Sequence, residues 1–101
     1  MSKTQGSIKE RTSDKVKEPK LFEVVMHNDD FTTMEFVVEI LTGIFHKDQT
    51  TAEALMLDVH NKGSAVVGVY TYDIAVTRTQ KAMARAKESG FPFRMTVREA
   101  G

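Results

Sequence analysis

The chain has 101 residues, the size of one ordinary domain, and its 14 Lys+Arg balance 14 Asp+Glu. A domain that grips phosphates carries a basic excess, so this balance argues against nucleic acid as a principal partner. With no Cys, no apolar run of ~18 residues and no apolar signal-peptide region at its N-terminus, the sequence leads to the expectation of no disulfide scaffold, thiolate-held metal, membrane span or signal peptide. The expectation is a soluble, cytoplasmic protein in which 41% apolar residues supply one modest core.

Residues 1–18 hold only Met1, Ile8 and Val16 as sizeable apolar side chains, among Ser, Thr, Gln and mixed charges. Such a segment buries too little surface to offset the entropy of ordering it, which predicts a disordered extension ahead of a domain at 19–101. The domain opens with Leu21-Phe22-Glu23-Val24-Val25-Met26-His27, a strand with Phe22, Val24 and Met26 on one face. It breaks at Asn28-Asp29-Asp30, a turn-forming cluster. Thr32-Thr33-Met34-Glu35 fits a capping box, and Met34, Val37, Val38, Leu41, Ile44 and Phe45 follow at helical spacing.

Thr50-Thr51-Ala52-Glu53 fits a second box and starts a helix with Ala52, Leu55, Met56 and Val59 on one stripe. Gly63 is placed to end it in a left-handed conformation. The apolar run Ala65-Val66-Val67-Gly68-Val69-Tyr70 reads as a buried strand. A third helix covers roughly 73–89, with Ala75, Thr79, Ala82, Met83 and Ala86 inward, ended by Gly90 and Pro92. Residues 93–98 alternate with period two, a half-exposed last strand. The order is βααβαβ, an α+β domain with three helices on one face of a small, three-stranded, mostly antiparallel sheet.

No phosphate loop, dinucleotide fingerprint, nucleophile elbow or HExxH motif is present, so no catalytic residue emerges. The Asn28-Asp29-Asp30 cluster reads first as a polar turn with a helix cap. A second reading comes from His60, which shares a helix face with Met56 four residues earlier. Taken alone, that His reads more readily as a hydrogen-bonded edge residue than as a ligand. Asn28, however, has the strand parity of Phe22, Val24 and Met26 and can aim at the groove between the first two helices. There an amide oxygen, carboxylates and a neutral imidazole are all acceptors, set over an apolar hole lined by Met34, Val37, Met56 and Val59. A compact ammonium attached to a large apolar side chain suits that arrangement, and the first residue of a peptide is such a group. His27 falls on the opposite strand face, and His46 ends a helix, where a cation is mildly favoured.

The string from Val24 through Asn28-Asp29-Asp30-Phe31-Thr32-Thr33-Met34 to Val37 resembles the signature of the ClpS adaptor family. So do Ala54-Leu55-Met56-Leu57-Asp58-Val59-His60, residues 63–71 and the closing Phe91-Pro92, over residues 20 to 98 in all. The resemblance implies an adaptor, not an enzyme, with no cofactor and no metal. Its ligands would be proteins with a free N-terminal Phe, Tyr, Trp or Leu, which it would deliver to the ClpA–ClpP protease. It implies amine binding by Asn28, Asp29, Asp30 and His60, and a side-chain pocket of Thr32, Met34, Val37, Met56, Val59 and Phe93. It also implies docking to the N-terminal domain of the ClpA unfoldase through Asp73 and Arg78, and use of the N-terminal extension in delivery. Two positions depart from the family pattern. Thr33 stands where Pro is common, which implies a more mobile first turn. Phe93 stands where Leu is common, which implies a preference for aromatic over Leu N-termini.

Two other classes fit parts of the pattern. A divalent-metal enzyme would gather His27, Asp29, Asp30 and His60 around the ion. A small sensor domain would bind free amino acids as well as peptides.

Overall fold

The strand that comes first in the chain lies in the middle of the sheet. A computed structural model describes residues 18–101, and in it β1 (Leu21–His27) is flanked by β2 (Ser64–Thr71) and β3 (Arg94–Glu99). Both pairings are antiparallel. The central place explains the unbroken burial of Val24, Val25 and Met26. Helices α1 (Met34–Gly43), α2 (Gln49–Lys62) and α3 (Tyr72–Glu88) complete the expected βααβαβ order. The expected N-terminal extension, apart from Glu18, lies outside the described residues. No helix among the described residues is long and apolar enough to cross a membrane.

Both helix starts differ from the predicted capping boxes. The cap of α1 is Thr33, whose hydroxyl accepts the Phe36 amide at 3.2 Å. Thr32 is drawn away by Asp29, to which its hydroxyl donates at 2.7 Å, so Glu35 has no box to close. The cap of α2 is Asp48, which accepts from the Thr51 amide at 2.7 Å. A carboxylate at a helix N-terminus adds a favourable charge interaction that a Thr hydroxyl lacks. Gly63 ends α2 as expected, at φ 89°, with its N–H on the Val59 carbonyl.

The face that α1 buries is turned from the predicted stripe. Phe36, Val37, Ile40 and Leu41 are buried, whereas Met34 is 46% exposed and Val38 half-buried. Phe36 is held by distant partners, with Phe91 and Phe93 at ring separations of 4.9 and 5.9 Å. In α3 the small residues Ala75, Thr79, Ala82 and Ala86 face inward as expected, while Met83 is half-buried.

The run predicted as a buried strand is instead an edge strand. Of β2, only Val67 is buried; Val66 and Val69 are exposed on the face without helices. A bulge opposite Val24 and Val25 places an extra residue in β2, so its apolar content reflects strand propensity as well as burial.

Candidate functional site

Where β1 ends, the Asn28 amide donates to the Gly63 carbonyl at 2.9 Å. The left-handed turn at Gly63 thus ties the start of the Asn-Asp-Asp turn to the end of α2, which carries His60. The next residue shapes the turn. Asp29 Oδ1 accepts from the amides of Phe31 and Thr32 at 2.8 and 2.7 Å, and Oδ2 accepts the Thr32 hydroxyl. Partial burial pushes the Asp29 carboxyl up, but the three hydrogen bonds from Thr32 and Phe31 together outweigh it and hold the group below its ordinary value. Asp29 is therefore the keystone of the turn, and its lone pairs are largely used. Among the described residues, no side-chain hydrogen bond or ion pair engages Asn28, Asp30 or His60.

These residues meet around a cavity of about 510 Å³ between the N-terminal end of α1 and the C-terminal end of α2. Asn28, Asp29, Asp30 and His60 supply its polar wall; Thr32, Met34, Val37, Met56 and Val59 supply the rest of the predicted lining. Apolar floor and unengaged acceptors thus share one space, which suits a cationic head on a hydrophobic group. The cavity also touches Phe31, Thr33 and Glu35, which sequence reasoning missed. Phe31 is 74% exposed, and its signal was available: a lone aromatic in a polar turn, outside every core stripe.

Phe93 does not line this cavity. It is buried in the core, edge-on to Phe36, because its place just before β3 turns it toward α1. The expected aromatic preference therefore has no direct contact to rest on. Thr33 is the cap of α1, and its hydroxyl bond ties the first turn that Pro would otherwise stiffen.

His27 is not brought to the cavity either. Its Nε2 pairs with Thr96 Oγ1 at 2.8 Å on the face without helices. Burial, then the charges of Arg94 and Arg98, lowers its pKa. The ligand set of the metal reading is thus split between two faces of the sheet. No group of His, Asp and Glu arranged to hold a metal ion occurs among the described residues.

Asp73 and Arg78 line a second depression of about 390 Å³, between the end of α1 and the start of α3. Gly43, Ile44, Ile74 and Lys81 share it, with His46, which adopts the left-handed conformation at φ 57°. The Arg78 guanidinium lies 5.1 Å from the centre of the Tyr70 ring.

The family model described as ATP-dependent Clp protease adaptor protein ClpS matches residues 17–96. The ATP-dependent Clp protease adapter protein ClpS of Syntrophus aciditrophicus is 50% identical over 86 residues, 85% of this chain and 80% of the relative. That of Lawsonia intracellularis is 45% identical over 95 residues, 94% of this chain and 87% of the relative. A solved structure of Agrobacterium tumefaciens ClpS2 bound to L-phenylalaninamide superimposes with a TM-score of 0.80 at 40% identity, covering 82% of this chain and all of that one. With the family model matched across nearly the whole described domain, the chain belongs to the ClpS family of ATP-dependent Clp protease adaptors.

Proposed function

We propose that this Clp protease adaptor captures cytoplasmic proteins by a free N-terminal Phe, Tyr, Trp or Leu and hands them to the ClpA unfoldase of ClpA–ClpP. The observation that carries the reading is the cavity in which Asn28, Asp30 and His60, with no side-chain partner among the described residues, stand over Met34, Val37, Met56 and Val59. The ligand of the Agrobacterium relative has the matching chemistry. Phenylalaninamide has a free α-amine and a benzyl side chain, and its amide stands for the first peptide bond of a protein. In this reading Asn28 and His60 accept from the ammonium, and the Asp29 and Asp30 charges favour it.

Both parts are needed. Burying an aromatic side chain of ~150–250 Å² at ~25 cal/mol per Å² contributes roughly 4–6 kcal/mol. The losses of association consume much of that, so charge-assisted hydrogen bonds of roughly 1.5–3 kcal/mol each decide whether affinity is useful. Met34, at the mouth, crowds the ligand's β-carbon and disfavours Val and Ile. Asp73 and Arg78 meet the unfoldase's N-terminal domain, and the N-terminal extension serves delivery. No reaction is assigned to any residue.

A titration with Phe-first peptides, free and N-acetylated, tests the central assignment. Acetylation removes the charge and two donors, so affinity is expected to fall by about a hundredfold or more. Equal binding of the two peptides would sink it.

A further inference from the structure

Along the outer side of the helical hairpin, α1 and α2 enclose a groove of about 620 Å³ that continues from the first cavity, sharing Met34, Glu35 and Met56 with it. Its floor is apolar and open. Met34 and Leu57 are 46% and 48% exposed, and Val38 and Met56 are half-buried beside them. Its rim is acidic, with Glu35 and Glu39 on α1 and Glu53 on α2. None of the three forms an ion pair among the described residues; Glu53 takes one hydrogen bond, from Gln49 at 2.9 Å.

In a chain of zero formal charge, Asp29, Asp30, Glu35, Glu39 and Glu53 are strung along these two spaces, and among the described residues no Lys or Arg lines either one. That segregation costs like-charge repulsion and is relieved by a cationic occupant. A second copy seated on the same groove would set carboxylate against carboxylate. The alternating demand for apolar and cationic groups instead matches an extended peptide. The 10 residues of α1 measure about 15 Å, the reach of four or five strand-like residues.

We propose that the α1–α2 groove holds the stretch of the bound protein that follows its first residue, an apolar side chain lying against Leu57 and Val38 and a Lys or Arg among Glu35, Glu39 and Glu53. This rests on the first cavity's taking the N-terminal residue. The adaptor then reads a short segment, and two proteins with the same first residue are captured unequally.

The test is fluorescence anisotropy at low salt with two Phe-first peptides, one carrying Leu and Lys within residues three to six, the other Ser and Glu. The Leu/Lys peptide is expected to bind about five- to tenfold tighter, a margin that shrinks at about 0.5 M salt. In a Glu39→Gln/Glu53→Gln variant, both positions being exposed, the margin is expected to close to about twofold while acetylation still abolishes binding. Leu57→Ser should weaken only the Leu-containing peptide.

Equal binding of the two peptides to the unaltered protein overturns the proposal, as does a margin that survives in the double variant. Loss of unfoldase-domain affinity in that variant, with both peptides bound as before, assigns the groove to the unfoldase and overturns it too. Tight binding of an acetylated Phe-peptide instead removes the first cavity's assignment, which marks that failure apart from this one.

Discussion

The two depressions at opposite ends of α1 are built on opposite electrostatic plans. At its N-terminal end Asp29 holds the turn, while Asn28, tied through its backbone amide to Gly63, lines the cavity with a side chain that no hydrogen bond engages among the described residues. At its C-terminal end the prominent charge is already engaged, with Arg78 lying over Tyr70 beside Asp73. A site of free acceptors over apolar floor gains most from a small ligand that supplies both donors and surface. An open depression with a pre-placed cation suits a broad partner that adds many weak contacts. In the proposed reading, the same helix separates a surface that selects from one that attaches.

The largest test of that separation is at the acceptors. Asn28→Ala and His60→Ala should each lower affinity for a Phe-first peptide by about ten- to a hundredfold, since in the proposed reading each removes a partner of the ligand's ammonium. Both residues are exposed, so thermal stability should stay within about 0.5 kcal/mol of the parent. Binding to the unfoldase's N-terminal domain should not change. If either substitution weakened docking as much as peptide binding, the two ends of α1 would not be independent.

How much of this was legible in the sequence depends on how local the cause is. The element order and the Gly63 cap were readable because turn residues and apolar periodicity act over a few positions. The cavity was readable in part, because Asn28 has core-facing strand parity and His60 shares a helix face with Met56. What failed was non-local. Phe36 is buried by Phe91 and Phe93, more than fifty residues on, and no feature of α1 itself announces them. Phe93, assigned to the pocket by resemblance, is claimed by that same aromatic contact. The β-branched run of β2 looked like core because composition cannot distinguish an edge strand from a central one. The capping boxes failed through competition: Asp29 takes Thr32, and Asp48 outbids Thr50 as a cap.

A smaller effect sharpens the comparison from the attachment end. Gly68 lies under the Tyr70 ring, and a Cβ built there would fall 2.5 Å from the phenol oxygen and 2.7 Å from Cζ. The half-buried ring can yield only by disturbing its contacts with Phe45, at 6.2 Å between ring centres, and with Arg78 over its face. Gly68→Ala should therefore cost about 1–2 kcal/mol, a loss of roughly 5–10 °C in Tm. By displacing Tyr70 it should also release Arg78 and weaken unfoldase docking severalfold, while a Phe-first peptide binds as before. Calorimetry and the two binding titrations read all three. A Gly68→Ala protein that docks normally would show that Tyr70 does not position Arg78.

The smallest expected effects are in the pH dependence of stability, and they arise at two separate places. His27, on the open sheet face, has a pKa below its ordinary 6.5, so the unfolded chain takes up its proton first on acidification. Its neutral form is the favoured one in the fold. Stability is fully present above about pH 6.5 and is lost as pH falls through the lower folded value. Asp29 has the same sign at lower pH. Its folded pKa lies below the ordinary 3.8, so the stability it contributes through Thr32 and Phe31 is intact above that value and disappears as pH falls further. Denaturant melts from pH 7 to 3 should show both slopes. His27→Gln is expected to flatten the upper one without touching peptide affinity at pH 7, because the residue lies away from both depressions. Asp29→Asn should flatten the lower one and also weaken peptide binding, because the turn it holds carries Asn28 and Asp30. A peptide site indifferent to Asp29→Asn would mean that the turn keeps its shape without its keystone carboxylate.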